Sequence, residues 1–306
     1  MTSTDLISIH DLPEGEVHEI FAVARDVKAF PERYSGALNQ KTLAMLFEKP
    51  SLRTRVTFEA GMTQLGGHAI YLAQDVGLGK RESVRDIAKN LERWVDGIMC
   101  RTFAHKTVTD MALHAGIPVI NGLTDLLHPC QALADYLTLI EKFGDLRGRK
   151  IAYVGDGNNV AHSLMFGAAK LGMEIRVGTP AGYEPNAEIV SSAREDAKRT
   201  GGKVEVVRDP FEAVRGVDAV YTDVWASMGQ EAEAANRAKV FPPYQVNSKL
   251  MAAAAPHAVF LHCLPAHRND EVTDEVLDGP QSVVFDESEN RLHVQKAIMI
   301  LLMGKR

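Results

Sequence analysis

The chain has 306 residues, of which 45% are hydrophobic and 24% are charged. A chain of this length and composition is expected to form about two globular domains, which excludes a disordered protein, a collagen and a coiled coil. Its 34 Lys and Arg against 40 Asp and Glu give a net charge of −6. This charge argues against a nucleic-acid partner that is bound through overall positive charge.

Short apolar runs alternate with amphipathic stretches along the chain, which is typical of strands that alternate with helices. Strands are predicted over 42–47, 69–72, 97–101, 118–121, 151–154, 174–178, 203–207, 219–222, 259–262 and 282–285. Helices are predicted over 52–65, 82–94, 131–143, 160–171, 188–200 and 289–303. The alternation predicts an α/β fold with two domains, each a parallel β-sheet flanked by helices.

A turn-rich, charged stretch over 144–150 follows a long predicted helix and marks the expected domain boundary. We predict a first domain over 1–145 and a second over 146–288. The last helix, 289–306, is expected to pack back on the first domain. The motifs described next all follow predicted strands, and ligands of open α/β sheets bind at the carboxyl ends of strands.

The first motif follows the strand predicted at 42–47. Ser51 is a good N-cap, so a helix is expected to begin at Leu52. The free N–H groups and positive dipole end of that helix, with Arg53, Thr54 and Arg55, are suited to a phosphate group. The alternative is an ordinary capped helix with solvated arginines.

Two further groups of the first half are candidates for the same site. Arg101 ends a predicted strand, and His128 and Gln131 stand at the start of the next predicted helix. A lone histidine at such a place is more often structural than catalytic. Cys130 lies beside Pro129 in a turn that we expect to be buried, where a thiol packs as a small apolar group.

The second half begins with the glycine-containing turn 155–159. It is similar to a dinucleotide-binding turn but lacks the third glycine, so an ordinary strand–helix turn is the alternative. Asn159 is expected to present its amide at this turn. Asp223 follows the strand predicted at 219–222 and is suited to an ammonium group. Arg291 opens the last helix, from which its side chain can return to the anion site.

Cys263 follows the strand predicted at 259–262, and three hypotheses compete for it. A zinc site is the weakest, because only His262 and His267 are near in sequence and a closed site needs more ligands. A thiolate nucleophile would need a neighbouring base. The third hypothesis is a thiol that lines a substrate pocket.

The three cysteines, Cys100, Cys130 and Cys263, are far apart in the sequence, which predicts a reducing compartment and no disulfide framework. Residues 1–11 have neither the basic start nor the long apolar core of a targeting peptide. No apolar run approaches the roughly 18 residues that a membrane span needs. We therefore expect a cytoplasmic protein with no membrane partner.

Together and in this order, the motifs resemble those of the ornithine carbamoyltransferase family, from about Leu6 to the C-terminus. The resemblance is carried by 47–55 (Phe-Glu-Lys-Pro-Ser-Leu-Arg-Thr-Arg), 64–68 (Gln-Leu-Gly-Gly-His), 128–131 (His-Pro-Cys-Gln), Asp223 with 227–229 (Ser-Met-Gly), and 262–265 (His-Cys-Leu-Pro). The first and third segments are typical of carbamoyltransferases broadly. The Ser-Met-Gly and His-Cys-Leu-Pro segments are typical of the ornithine branch.

The resemblance implies a two-domain protein with its active site in the interdomain cleft. It implies transfer of a carbamoyl group from carbamoyl phosphate to the δ-amine of L-ornithine, giving L-citrulline and phosphate in arginine biosynthesis. It also implies a homo-oligomer, a trimer in which neighbouring subunits contribute to each site. No metal and no organic cofactor is expected, because carbamoyl phosphate is already activated.

The resemblance also implies roles for individual residues. The residues implied to bind carbamoyl phosphate are Ser51, Leu52, Arg53, Thr54, Arg101, His128, Pro129, Cys130, Gln131, Cys263, Leu264 and Arg291. Those implied to bind ornithine are Asn159, Asp223, Ser227 and Met228. Those implied to be catalytic are Arg101, His128, Asp223 and Cys263, with Cys263 as the candidate acceptor of the proton of the amine.

The chain departs from the family pattern at two places. Leu52 stands where the family loop usually has a threonine, but the backbone N–H of this residue is still available to a phosphate. Gly77 stands where many members carry a glutamine that reaches the carbamoyl phosphate of a neighbouring subunit. Lys80 and Arg81 are the candidates to replace that contact.

Three alternatives stay open. The amine could be putrescine or an acylated ornithine, although Asp223 with the Ser-Met-Gly segment favours a free α-amino acid. The turn at 155–159 permits a nucleotide-binding oxidoreductase, for which a complete glycine fingerprint is missing. A non-catalytic homologue is the third, and the retention of Arg53 and His128 argues against it.

Overall fold

The computed structural model describes residues 1–73, 81–227 and 229–304. Gly77 and Lys80, discussed above for a contact between subunits, and Met228, expected to bind ornithine, lie outside the described residues. The chain forms two compact units, Met1–Ala134 with Glu289–Arg306, and Asp135–Ser288. We call them unit 1 and unit 2. The domain boundary that we predict between residues 145 and 146 stays a prediction.

Strands and helices alternate through the described residues. The strands are β1 (Thr42–Phe47), β2 (His68–Leu72), β3 (Gly97–Arg101), β4 (Val119–Leu123), β5 (Lys150–Val154), β6 (Glu174–Gly178), β7 (Lys203–Val207), β8 (Ala219–Tyr221) and β9 (Val259–Leu261). The helices are α1 (Glu14–Ala29), α2 (Leu52–Gln64), α3 (Val84–Leu91), α4 (His105–His114), α5 (Pro129–Phe143), α6 (Asn159–Lys170), α7 (Ala187–Thr200), α8 (Pro210–Val214), α9 (Ala234–Val240), α10 (Ser248–Met251), α11 (Asp274–Leu277) and α12 (Val284–Met303).

The strand predicted over 282–285 was wrong. Only Ser282 pairs with the sheet, in a single bridge to Phe260, and α12 begins at Val284, five residues before the predicted start of the last helix. The run Ser-Val-Val-Phe has the β-branched content of a strand. It is followed at once by Asp286 and Glu287, and acidic residues stabilise the positive end of a helix dipole in the first turn. The segment therefore makes one bridge to the sheet, at Ser282, and then begins the helix α12 at Val284.

Unit 1 is built on a parallel sheet in the order β2-β1-β3-β4. The central strands are buried on both faces, as a parallel sheet covered by helices requires. Phe47 of β1 pairs in register with Arg101 of β3, so these strands end at the same level. The chain that leaves β1 and the Arg101 side chain therefore begin at one edge of the sheet.

Unit 2 is built on a parallel sheet in the order β7-β6-β5-β8-β9. Chain order runs outward from β5 in both directions, through β6 and β7 on one side and β8 and β9 on the other. Such a reversal leaves a crevice at the carboxyl ends of the strands, where α/β proteins bind ligands. The turn after β5, Asp223 after β8 and Cys263 after β9 all lie at that edge of the sheet.

Among the described helices, none combines the length and the apolar composition that crossing a lipid bilayer demands.

The close packing of α6 in unit 2 gives a test of the fold. A Cβ atom at Gly167 would lie 2.1 Å from Cε2 of Tyr136, whose hydroxyl donates to the Leu164 carbonyl at 2.5 Å. Because the ring is held, Gly167→Ala should lower the free energy of unfolding by about 1–3 kcal/mol. Gly15→Ala in α1 is the control, since no atom lies within 4 Å of the added Cβ there. Thermal unfolding of both variants checks this, and equal melting temperatures would contradict the packing.

Candidate active site

The start of α2 is one component of a site in unit 1. Ser51 has an extended backbone, with φ −161°, and its Oγ accepts a hydrogen bond from the Thr54 N–H at 3.3 Å. Leu52 directs its side chain outward, with 73% of it exposed, so only its backbone can serve a ligand at the helix start. The 13-residue helix thus presents N–H groups and a positive dipole end where β1 ends.

Two buried guanidinium groups converge on one hydroxyl beside that helix start. Nη1 of Arg101 lies 3.5 Å from the Thr54 Oγ1, and Nη2 of Arg291 lies 2.8 Å from the same oxygen. Arg291 is 3% exposed and Arg101 is 9% exposed. Cations so close together in a buried place repel each other, and an anion relieves that repulsion. The arrangement therefore favours binding of an anion.

His128 lies in the field of these arginines. Burial lowers the pKa of its imidazole well below the ordinary value, and the charges of Arg291, Arg101 and Arg53 lower it further. His128 is consequently neutral near neutral pH, and a neutral imidazole can donate a hydrogen bond to a carbonyl oxygen. Gln131, fully buried, lies in the first turn of α5 just after it.

The two thiols of unit 1, Cys100 and Cys130, are buried. Cys130 is fully buried and its Sγ donates to the Asn121 carbonyl at 3.4 Å. Burial raises the pKa of Cys130 to about 12 and raises the pKa of Cys100 further still. Neither thiol ionises at neutral pH, and only the ionised form is a nucleophile.

In unit 2, the residues after β8 and β9 meet. The Cys263 thiol donates to Oδ1 of Asp223 at 3.1 Å, and the Val224 N–H donates to the same oxygen at 2.8 Å. Burial, together with the facing Asp223 carboxylate, raises the pKa of the Cys263 thiol well above its ordinary value. The thiol is therefore protonated near neutral pH.

Asn158 is a site residue that the sequence analysis missed. Its Nδ2 donates to Oδ2 of Asp223 at 2.7 Å, while its Oδ1 accepts from the Val160 and Ala161 N–H groups and from the Tyr153 hydroxyl. One amide thus caps α6 and anchors the carboxylate. An asparagine two residues before the predicted helix start is the signal that could have found the cap. The second contact spans 65 residues and has no local signal.

Asn159, the neighbour expected to bind ornithine, is the first residue of α6. Its carbonyl accepts from the Ser163 hydroxyl at 3.0 Å, and the residue is half-buried. The turn before it is tight, because a Cβ at Gly157 would lie 2.2 Å from the Pro185 nitrogen. Only glycine fits at that point, which explains the glycine without invoking a nucleotide.

His262 has both ring nitrogens engaged. Nε2 lies 3.1 Å from the buried Glu271, and Nδ1 accepts from the Leu264 N–H at 2.9 Å. Leu264 has φ 56°, and its bond to Pro265 is cis. Ligand atoms of Asp223, His262 and Cys263 lie within 4.8 Å of one another. A metal ion would have to displace one of the two bonds of His262, so this geometry favours hydrogen bonding.

A second residue that the sequence analysis missed, Arg237 of α9, fixes the segment after Asp223. Its Nη1 contacts the Asp156 carboxylate at 3.0 Å and donates to the Trp225 carbonyl at 2.6 Å. Burial raises the pKa of Asp156 to about 6, although the charge of Arg237 opposes this change. Ser227, half-buried, lies two residues beyond Trp225, and its N–H donates to the Gln230 side chain.

Comparison with known proteins agrees with this division into an anion site and an amino-acid site. Residues 4–141 match the family model "Aspartate/ornithine carbamoyltransferase, carbamoyl-P binding domain". Residues 147–302 match "Aspartate/ornithine carbamoyltransferase, Asp/Orn binding domain". The chain belongs to the aspartate/ornithine carbamoyltransferase family. The resemblance noted in the sequence is therefore confirmed.

Individual relatives of the family are similar over their full length. A protein of Thermococcus kodakarensis named ornithine carbamoyltransferase is 53% identical over 99% of this chain and 98% of its own. One of Symbiobacterium thermophilum with the same name is 57% identical over 98% of each chain. The solved structure of ornithine carbamoyltransferase from Pyrococcus furiosus has a TM-score of 0.96 at 52% identity and covers 99% of this chain and 97% of its own.

The thiols give a test of the site's electrostatics. Because the pKa of Cys263 is raised, its alkylation by iodoacetamide should be slow at neutral pH and should accelerate only in alkaline solution. Asp223→Asn removes the carboxylate that holds the thiol proton and should speed alkylation at neutral pH. Peptide mass spectrometry identifies the modified residue, with the buried Cys100 and Cys130 as internal controls. Rapid alkylation of Cys263 in the unmodified protein at neutral pH would refute the assignment.

Proposed function

We propose that the protein is an ornithine carbamoyltransferase, which transfers the carbamoyl group of carbamoyl phosphate to the δ-amine of L-ornithine. The products are L-citrulline and phosphate, in arginine biosynthesis. The observation that carries the proposal is the contact between the Asp223 carboxylate and the Cys263 thiol, in the segments typical of the ornithine branch. Relatives that bear this activity in their names are more than half identical to this chain, which supports it.

In this proposal, unit 1 binds carbamoyl phosphate. The start of α2 and Arg53 hold the phosphate, and Arg101 and Arg291 neutralise its charge. Attack on the carbamoyl carbon places negative charge on the carbonyl oxygen, and preorganised donors aimed at that oxygen lower the barrier. A neutral His128 supplies such a donor without adding a fourth positive charge to a place that already has three arginines.

Unit 2 binds the amino acid. Asp223 is the buried carboxylate that pairs with the α-ammonium group, and its orientation is fixed by Asn158 and Cys263. Ser227, Met228 and Asn159 are proposed by resemblance to contact the rest of the amino-acid end. Putrescine has no α-carboxylate, so the contacts proposed for Ser227, Met228 and Asn159 favour ornithine over that amine, and an acylated ornithine has no α-ammonium group for Asp223.

The δ-amine must be neutral to attack, and an unperturbed alkyl ammonium group has a pKa of about 10.4. Because its pKa is raised, the Cys263 thiol stays protonated at neutral pH, so little thiolate is present to accept the proton of the amine or to form a carbamoyl thioester. We therefore propose that the site selects the neutral form of ornithine, with Cys263 as a contact of the substrate and a donor to Asp223.

We also propose that the protein is a cytoplasmic trimer, as the family resemblance implies. Exposed apolar side chains occur on α2 and β2 of unit 1, where Leu52 is 73%, Val56 51% and Ile70 39% exposed. Ile70 belongs to β2, at the edge of the sheet, and an exposed apolar edge is suited to burial against another subunit. A location in the cytoplasm accords with the unpaired Cys100, Cys130 and Cys263.

The direct test is formation of citrulline from carbamoyl phosphate and ornithine by the purified protein, measured beside putrescine and an acylated ornithine. The phosphonate bisubstrate analogue of the two substrates should inhibit competitively with carbamoyl phosphate. Turnover with another amine at higher kcat/KM than with ornithine would overturn the proposal.

Removal of the arginine at the start of α2 should abolish turnover. Arg53→Gly deletes the guanidinium that is proposed to hold the phosphate. The matched control is Arg55→Gly, two residues on in the same helix, whose Nε is 3.0 Å from Glu59 and whose guanidinium stacks over Tyr71. Steady-state kinetics compare the two, and an Arg53→Gly enzyme with unchanged kcat/KM for carbamoyl phosphate would show that the anion site is misassigned.

Replacement of Cys263 by serine should mainly weaken ornithine binding. The hydroxyl keeps a donor to Asp223 but is smaller than the thiol, so we expect a rise in KM for ornithine of about tenfold with a smaller change in kcat. Product inhibition by phosphate serves as the control for an intact anion site. A stable carbamoyl thioester on Cys263 in mass spectra of the unmodified enzyme would instead favour a covalent route.

A further inference from the structure

Two carboxyl groups that the proposed mechanism does not use lie buried together in unit 2. Glu287, in the first turn of α12, and Asp135, on α5, are both fully buried, and their side chains are hydrogen-bonded to each other. An ionised carboxylate has no hydrogen to donate, so a bond between two carboxyl groups requires that one of them carries a proton. The contact therefore defines a pair with one proton and one negative charge.

Glu287 also holds the ends of two neighbouring strands. Its Oε1 accepts from the Tyr221 hydroxyl at 3.2 Å, and its Oε2 accepts from the His262 backbone N–H at 3.0 Å. Tyr221 is the last residue of β8 and lies two positions before Asp223. His262 follows β9 and immediately precedes Cys263. One side chain thus links the two segments that carry the Asp223–Cys263 contact.

We propose that Glu287 and Asp135 share one proton and act as a positioning pair, which fixes the ends of β8 and β9 so that Asp223 and Cys263 stay in register for the amino-acid substrate. The inference rests on the proposed function, because the substrate it concerns is ornithine. Neither carboxyl group touches substrate in this proposal.

The electrostatics of the pair support the shared proton. Burial, the charge of Asp135 and the hydrogen bond to it raise the pKa of Glu287 well above its ordinary value. The groups that face the pair are the Tyr221 phenol, whose pKa burial and the charge of Asp135 raise well above its ordinary value, and the segment of His262 and Cys263. The charge of the pair contributes to the raised pKa of the Cys263 thiol. If both carboxyl groups of the pair were ionised, the second negative charge would increase the electrostatic repulsion between the pair and the Asp223 carboxylate.

The shared proton can be tested without substrate. Glu287→Gln keeps one acceptor oxygen and an N–H donor but cannot titrate. Infrared spectra at mildly alkaline pH should show a protonated carboxyl C=O band in the unmodified protein that the variant lacks. Above the ordinary glutamate pKa the folded pair holds a proton that the unfolded chain has released, so stability falls as pH rises. For each rise of one pH unit, the unfolding equilibrium constant of the unmodified protein should increase by a factor about ten times larger than that of Glu287→Gln.

Asp286→Asn is the matched control for this measurement, since Asp286 is a half-buried acid of the same helical turn, paired with Lys142 at 2.5 Å. It should keep both the infrared band and the pH slope. A spectrum without the band, or parallel pH slopes for the unmodified protein and Glu287→Gln, would overturn the shared proton.

The positioning role needs a kinetic readout. Glu287→Leu removes both acceptors at similar volume and should raise KM for ornithine at least about tenfold, with KM for carbamoyl phosphate nearly unchanged. Glu287→Gln should restore most of the loss. Should the leucine variant fail to fold, Tyr221→Phe removes one of the two contacts alone and should raise KM for ornithine about threefold.

The outcomes separate this inference from the proposed function. If the unmodified protein makes no citrulline, the proposed function fails, and the infrared band and pH slope still report on the pair. If it makes citrulline while Glu287→Leu and Tyr221→Phe keep their KM for ornithine, or lose both substrates equally, the positioning role is overturned.

Discussion

The repulsion between buried arginines is the constraint on which unit 1 depends. Arg101 comes from the end of β3 and Arg291 from α12, and both reach the Thr54 hydroxyl of α2. Burying these charges has a high energetic cost, which a dianion can offset and which water cannot offset as well. The sheet register that aligns β1 with β3 and the return of the C-terminal helix to unit 1 both serve this arrangement. The arrangement therefore favours a bound anion.

Unit 2 has the opposite electrostatic requirement in the proposed function, because it must hold a carboxylate, that of Asp223, in place for the ammonium group of the substrate. Asp223 is held by an amide, a thiol and a backbone N–H, which orient the carboxylate without neutralising it. A guanidinium at that distance would have competed with the ammonium group of a substrate. The nearby Arg237 is instead occupied by Asp156 and by the Trp225 carbonyl. In the proposed function, unit 1 thus binds the anionic substrate through cationic side chains, and unit 2 binds the ammonium group through a carboxylate that is held by uncharged donors.

Much of the fold could be predicted from local patterns. The strands at 42–47, 97–101, 174–178 and 203–207 have the predicted bounds, because apolar runs bounded by turns are a strong signal for buried parallel strands. The segment at 282–285 has the same local signal but becomes a helix, since the β9 edge offers it one bridge only. The hydrophobic pattern of a segment indicates which secondary structure that segment favours. It does not indicate how long the strand beside it in the folded sheet will be.

The candidate site divides in the same way. Residues at or just after the ends of strands, such as Arg101, Asp223 and Cys263, could be selected from sequence because the carboxyl ends of parallel strands are the expected place for ligands. Asn158, Arg237 and the Asp135–Glu287 pair could not, because each acts through a partner that is distant in sequence. Asn158 and Asp223, for example, are 65 residues apart. Their roles arise from tertiary packing, to which a single sequence gives no direct access.

The protonated state of Cys263 has a consequence for oxidative damage. Peroxides react with thiolates, and the first product, a sulfenic acid, would place an added oxygen against the Asp223 carboxylate. A thiol whose proton is held by that carboxylate offers little thiolate to an oxidant at neutral pH. The buried Cys100 and Cys130 are shielded as well. We therefore expect peroxides to oxidise Cys263 more slowly than an ionised thiol.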